Sequence, residues 1–205
     1  MLTKSLLRAV VLTFSFVGLG FAQEGWKFPD FSATQVFQSR RGEMAMKVYR
    51  SGSTVRLERS AAISTLYATE NSKVYNLTTY PDHSHQCVSM NPEQAKMLPS
   101  PLELIQGRIV KRVRVGSEVV EGHATKVENV AVVGMDGTMI ESKVWEAEDF
   151  KGIPVKIESQ IQGITLRVIY RDIVVGAPDK FLFEVPNRCT PIEKMGQVAD
   201  SRILR

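Results

Sequence analysis

His83, His85 and Cys87 fall at positions i, i+2 and i+4, with Met90 three residues further on. In an extended segment that spacing turns two imidazoles and a sulfur toward one face, a donor set suited to copper or zinc. Two histidines alone would leave most positions of such an ion unfilled. The sulfur also has a competing use, because the chain holds only one other cysteine, Cys189. The pair reads either as two buried thiols or as a bridge, and a bridged Cys87 offers no thiolate to a metal. An even cysteine count in an exported chain favours the bridge. The expectation is therefore a Cys87–Cys189 disulfide and no cofactor, with His83 and His85 left as the metal candidates.

The sequence carries no G-x-S-x-G, H-E-x-x-H, phosphate-cradling or C-x-x-C motif. His123 follows Gly122 in what reads as an exposed turn, and Glu146, Glu148 and Asp149 read as a charged turn before Phe150. A non-enzymatic protein is the expectation.

Residues 1–22 have the layout of a secretory leader: Lys4 and Arg8, an apolar run from Ala9 to Phe21, and the small-residue site Gly20-Phe21-Ala22 before Gln23. The run is shorter than the ~20 residues a membrane-spanning helix needs, so a cleaved leader is expected rather than a permanent anchor. Gln23 at the cleavage point gives no cysteine for acylation. Residues 23–205 then form a single β-rich domain, periplasmic or secreted. The 205-residue chain has a formal charge of +4, and setting aside Lys4 and Arg8 brings it to about +2. That balance gives no electrostatic reason to expect a nucleic-acid partner. An apolar share of 43% excludes a disordered chain.

The elements that would position these residues are strands. From Ala33 to Val185 apolar and polar residues alternate with period two, broken by Gly, Asn, Asp and Pro. Met44, Met46 and Val48 alternate with Ala45, Lys47 and Tyr49. The turn Ser51-Gly52-Ser53 leads to Val55 and Leu57, which predicts a hairpin. Further strands are predicted at Ile63 to Ala68, Lys73 to Thr79, Ser84 to Met90, Ile109 to Val115, Ala124 to Val133 and Met139 to Glu148, the last two joined through Met135-Asp136-Gly137. Val155 to Gln162, Ile164 to Val174 and Phe181 to Val185 complete about ten strands. Asn91 before Pro92 predicts a short helix over Pro92 to Met97, with a second helix or an irregular crossing over Leu102 to Gln106.

This order predicts a mostly β fold: a curved antiparallel sheet or incomplete barrel, with a short helical segment covering the concave face. The apolar residues Met44, Met46, Val48, Val55, Leu57, Leu66, Trp145, Ile157, Ile161, Leu166 and Val168 are then core, or in part the wall of a ligand cavity. The cavity candidates are Met44, Met46, Val48, Leu57, Leu66, Trp145, Ile157 and Leu166; unbranched Met adapts to variable acyl shapes. Lys111-Arg112-Val113-Arg114 spreads charge over both strand faces, as a solvated edge does; contact with anionic headgroups is the other reading.

Four segments in order resemble the LolA/LolB-like superfamily of periplasmic lipoprotein-sorting carriers. They are Gly116-Ser117-Glu118-Val119-Val120-Glu121-Gly122-His123-Ala124-Thr125, Lys143-Val144-Trp145-Glu146-Ala147-Glu148-Asp149, Gly152-Ile153-Pro154-Val155-Lys156 and Pro178-Asp179-Lys180-Phe181-Leu182-Phe183-Glu184-Val185-Pro186. The resemblance implies an incomplete barrel around helices and an apolar cavity for lipid, lipoprotein acyl chains or another hydrophobic ligand. No carrier-specific lipid-contacting arginine aligns with this chain, so the fold transfers further than the cargo. The expected function is an exported, soluble binding or carrier-like protein of the bacterial envelope. The alternatives are a structural or sensor module with a packed interior and an envelope protein partner, or a periplasmic metal-binding protein.

Overall fold

A computed structural model describes residues 28–39, 42–68, 73–91, 93–97, 108–133, 137–161 and 164–194. The leader, the crossing at Leu102 to Gln106, and Met135 and Asp136 lie outside them.

Period-two alternation becomes strand nearly throughout. The first half of the chain forms a meander of β1 (Phe31–Ser39), β2 (Gly42–Ser51), β3 (Thr54–Glu58), β4 (Ile63–Ala68), β5 (Lys73–Thr79) and β6 (His85–Met90). The second half forms β7 (Arg108–Val120), β8 (His123–Val133), β9 (Met139–Ala147), β10 (Pro154–Ile161) and β11 (Ile164–Val175), followed by the two-residue β12 (Thr190–Pro191). β11 returns to pair with β1, so the two meanders fuse into one sheet of order β12-β6-β5-β4-β3-β2-β1-β11-β10-β9-β8-β7. Every pairing is antiparallel except β12 with β6. The sheet is curled, open and unclosed.

Local chemistry sets the turns and the curl. Glu121 and Gly122 both have positive φ, as a two-residue type I′ turn between β7 and β8 requires. Register shifts interrupt the ladder in β1–β11, β9–β10 and twice in β7–β8, and such bulges bend a strand and increase its twist. In β11 the bulge carries Asp172 at φ 53, whose carboxylate accepts a 3.0 Å hydrogen bond from Thr34 Oγ1.

One face of the sheet forms the core. Phe31, Ala33 and Phe37 of β1, Met46 and Val48 of β2, Val55 and Leu57 of β3, Val130 and Val132 of β8, Val144 of β9, Ile157 of β10 and Val168 and Tyr170 of β11 are all buried in one cluster. The predicted helix over Pro92 to Met97 is a single 3-10 turn, Gln94–Met97, which brings Ala95 into that cluster. Asn91 and Gln94 cap it reciprocally, each side chain accepting the other's backbone N–H at 2.9 Å.

The predicted strand over Phe181 to Val185 is a 3-10 turn, Lys180–Phe183. Its backbone is satisfied locally, with Leu182 N–H donating to Asp179 O and Glu184 N–H to Phe181 O. The segment crosses the face opposite the core rather than joining an edge: Phe183, Val185 and Cys189 pack on Leu66, Tyr75 and Cys87. Arg56 Nη1 holds it from below, donating to Leu182 O at 2.9 Å. The Cys87–Cys189 disulfide fixes it to β6.

Candidate functional site

Cross-strand register decides which apolar residues share a face. Ile157 lies opposite both Val144 and Val168, Val48 lies opposite both Ala33 and Leu57, and Leu166 lies opposite Ser159. Met46, Val48, Leu57 and Ile157 are therefore brought together on the core face, each at most 3% exposed. Leu166 packs half-buried against the same cluster. Met44, two residues before Met46, is 43% exposed at the margin.

Leu66 and Trp145 sit on the opposite face. Leu66 is sealed beneath the disulfide-tied segment. Trp145 lies opposite Val127 and is buried with Ala147 and Val155 in a separate cluster. Its indole N–H donates to Glu118 Oε2 at 2.7 Å, and the ammonium groups of Lys156 and Lys143 lie 4.1 and 4.7 Å from the ring. These contacts make it the centre of an outer-face packing unit, with its polar edge satisfied.

The core face carries polar chemistry at two places. At the middle, Gln35 of β1 and Tyr170 of β11 lie directly opposite each other, both buried, with Gln35 Nε2 donating to the Tyr170 hydroxyl at 2.8 Å. Gln35 Oε1 has no hydrogen-bond partner among the described residues. Burial pushes the Tyr170 phenol well up, only partly offset by the bond from Gln35, so its proton stays in place at ordinary pH.

Toward the β7 end, the apolar face gives way to an ion cluster. Glu128 and Glu146 are each 4% exposed. Arg112 reaches both carboxylates, through Nε to Glu128 and Nη2 to Glu146. Lys126 Nζ lies 2.8 Å from Glu128 Oε1 and 3.5 Å from Glu146 Oε2. Burial raises the Glu146 carboxyl above its ordinary range; Arg112 and Lys126 oppose that rise and neighbouring Glu128 adds to it.

Two sequence expectations change here. Glu146 belongs to β9, two residues from Val144 on the core face, rather than to a charged turn. Arg112 does lie on an edge strand, but its guanidinium turns inward over two carboxylates. The signal was an acid inside an alternating strand, Val144-x-Glu146, matched by Lys126-x-Glu128 on the neighbouring strand.

The histidines stand apart from both places. His83 occupies the turn before β6 at φ 63, so strand alternation does not align it with His85. His85 is exposed, with Nδ1 3.1 Å from Thr79 Oγ1, and the neighbouring sulfur is bridged. Among the described residues no group of three or more His, Cys, Asp or Glu side chains is arranged to hold a metal ion. His123 opens β8 half-buried rather than lying exposed in a turn, its Nδ1 2.6 Å from Asp149 Oδ2 and its ring 4.6 Å from that of Phe150.

No family model matches the sequence, and no curated protein matches it. Among solved structures, the chain is similar to PNGF-II, with a TM-score of 0.40 and 13% identity over 80% of this chain and 31% of that one. It is similar to a chain of the Pseudomonas aeruginosa MucA/MucB complex, with a TM-score of 0.43 and 16% identity over 78% of this chain and 57% of that one. It is also similar to a LolA superfamily protein from Nitrosomonas europaea, with a TM-score of 0.32 and 10% identity over 78% of this chain and 92% of that one. The chain thus spans about a third of the length of PNGF-II.

Proposed function

We propose that this protein is an exported, non-enzymatic binding protein of the bacterial envelope that holds an apolar ligand, such as a lipid or a lipoprotein acyl chain, within its curled sheet. The supporting observation is the apolar core face to which Met46, Val48, Leu57, Ile157 and Val168 belong, interrupted at its middle by the Gln35–Tyr170 pair, inside an unclosed curl. Met44 and Leu166 lie at its more exposed margin, where an unbranched side chain can move aside as a chain enters. Burial of acyl CH2 groups on that face would supply about 0.8 kcal/mol each.

The near-complete burial of Met46, Val48, Leu57 and Ile157 favours a second reading, a packed interior in a structural or sensor module. One experiment separates the two. The full chain, exported and purified without detergent, is extracted with organic solvent for lipid mass spectrometry and titrated with a fluorescent fatty acid. The ligand reading predicts lipid at near one mole per mole, with probe affinity lowered about tenfold or more in Met44→Lys and Leu166→Lys, a loss of about 1.4 kcal/mol. Lipid-free protein that ignores the probe supports the packed interior and overturns the ligand reading.

A further inference from the structure

β7 is the terminal strand of the sheet and has 13 residues, so one side of its backbone pairs with β8 and the other faces no strand among the described residues. Val110, Val113, Val115 and Val119 are 45–70% exposed along it. Arg108, Lys111 and Arg114 are exposed, and no carboxylate pairs with them among the described residues; Arg114 Nη2 donates only to Ser117 Oγ, at 3.1 Å. The other charges of the strand are committed, Arg112 to Glu128 and Glu146, and Glu118 to Trp145. Among the described residues, this edge is thus a stripe of valine and of positive charge without a paired carboxylate, beside backbone donors and acceptors that no strand pairs.

Three occupants are conceivable for such an edge, and charge separates them. An apolar strand would strip water from three cations and return nothing. A second copy of the chain, paired by two-fold symmetry on the regular stretch from Lys111 to Arg114, would set Arg112 against the other copy's Arg112 or Arg114, because directly opposite residues share a face, and like charges directly opposite are destabilising. An extended segment rich in Asp and Glu meets both demands: its backbone completes the ladder and its carboxylates pair with the cations. The register shifts that bracket Lys111–Arg114 limit regular pairing to that stretch and to Gly116–Val120, which excludes indiscriminate strand addition.

We propose that the free edge of β7 is a docking strand for an acidic, extended segment of a partner protein, which adds to the sheet beside Arg108, Lys111 and Arg114. This docking is independent of any ligand on the core face.

The test is fluorescence anisotropy of the full chain with a labelled peptide alternating Glu and Val. Two controls accompany it, a Lys/Val peptide and a Glu/Val peptide interrupted by central prolines that cannot join a ladder. The Glu/Val peptide should bind, each control should bind at least about tenfold more weakly, and amide exchange in β7 should slow on binding. Lys111→Glu with Arg114→Glu, both at exposed positions, should lower affinity at least about tenfold while leaving the far-UV circular dichroism unchanged. Equal binding of the proline peptide, indifference to the charge reversals, or no binding at low salt would each overturn the proposal. A dimer of the free protein that Val113→Lys dissociates would also overturn it, by assigning the edge to a second copy.

Discussion

Arg112 and Glu146 are held together across an intervening strand: the guanidinium starts on β7, passes over β8 and meets a carboxylate on β9. On the way it takes Glu128 as well, so a single cation ties the last three strands of the sheet on the core side.

Arg112→Met should cost about 1–3 kcal/mol in urea unfolding at neutral pH, because two nearly buried carboxylates would keep only Lys126. Adding Glu128→Gln and Glu146→Gln to that variant should restore most of the loss, since the charges left unpaired would be gone. Full additivity of the three changes would show that the cluster does not act as a unit.

Glu146 also sets a pH dependence of definite sign. Its native carboxyl titrates above the unfolded value, so the folded chain keeps a proton that the unfolded chain has released. The resulting contribution to stability is fully present below the unfolded value and is lost as pH rises through the native one. Relative to wild type, Glu146→Gln should therefore gain stability as pH is raised from about 4 toward neutrality. Denaturant midpoints compared across that range check it, and a parallel pair of curves would contradict it.

Cys87 and Cys189 are separated by 102 residues, and closing a loop of that size stabilises a fold by up to about 4.7 kcal/mol on the chain-entropy account. Cys87→Ala with Cys189→Ala should lower stability by about 3–4 kcal/mol. Amide exchange should accelerate first around Leu66 and Tyr75, which the bridged segment covers, and much less in β8 and β9.

The pair Gln35 and Tyr170 should behave non-additively. Tyr170→Phe removes the hydrogen-bond partner that the buried Gln35 amide has among the described residues and should cost about 1–3 kcal/mol, whereas Gln35→Met with Tyr170→Phe should cost much less. Thermal unfolding of the two singles and the double closes the cycle.

The succession of strands and their Gly-containing turns was legible from the sequence because period two and turn chemistry are local, whereas the pairing of β1 with β11 that fuses the two meanders was not. The bridge was legible because the chain has two cysteines. Face assignment was not. Leu66 and Trp145 each alternate correctly within their own strand, but the phase between strands depends on register, which sets Leu66 opposite Arg56 and Trp145 opposite Lys156, away from the core face. Phe181-Leu182-Phe183 read as strand because a short apolar run between prolines has no distinguishing period; a tie through Cys189 laid it across the sheet instead. Glu146 was read with Glu148 and Asp149, its neighbours in sequence, while its actual partners, Arg112 and Lys126, lie 34 and 20 residues back along the chain.

The two ends of the sheet differ in a way that bears on stoichiometry. At one end stands β12, two residues long, containing Pro191 and following directly on the bridged Cys189. At the other stands the long β7. Propagation into a filament requires each molecule to offer two usable edges, one to receive a strand and one to pass the ladder on. A two-residue strand containing a proline offers little ladder to extend, so a strand arriving at β7 would be a terminating event, and assemblies built through this sheet would stop at a finite size.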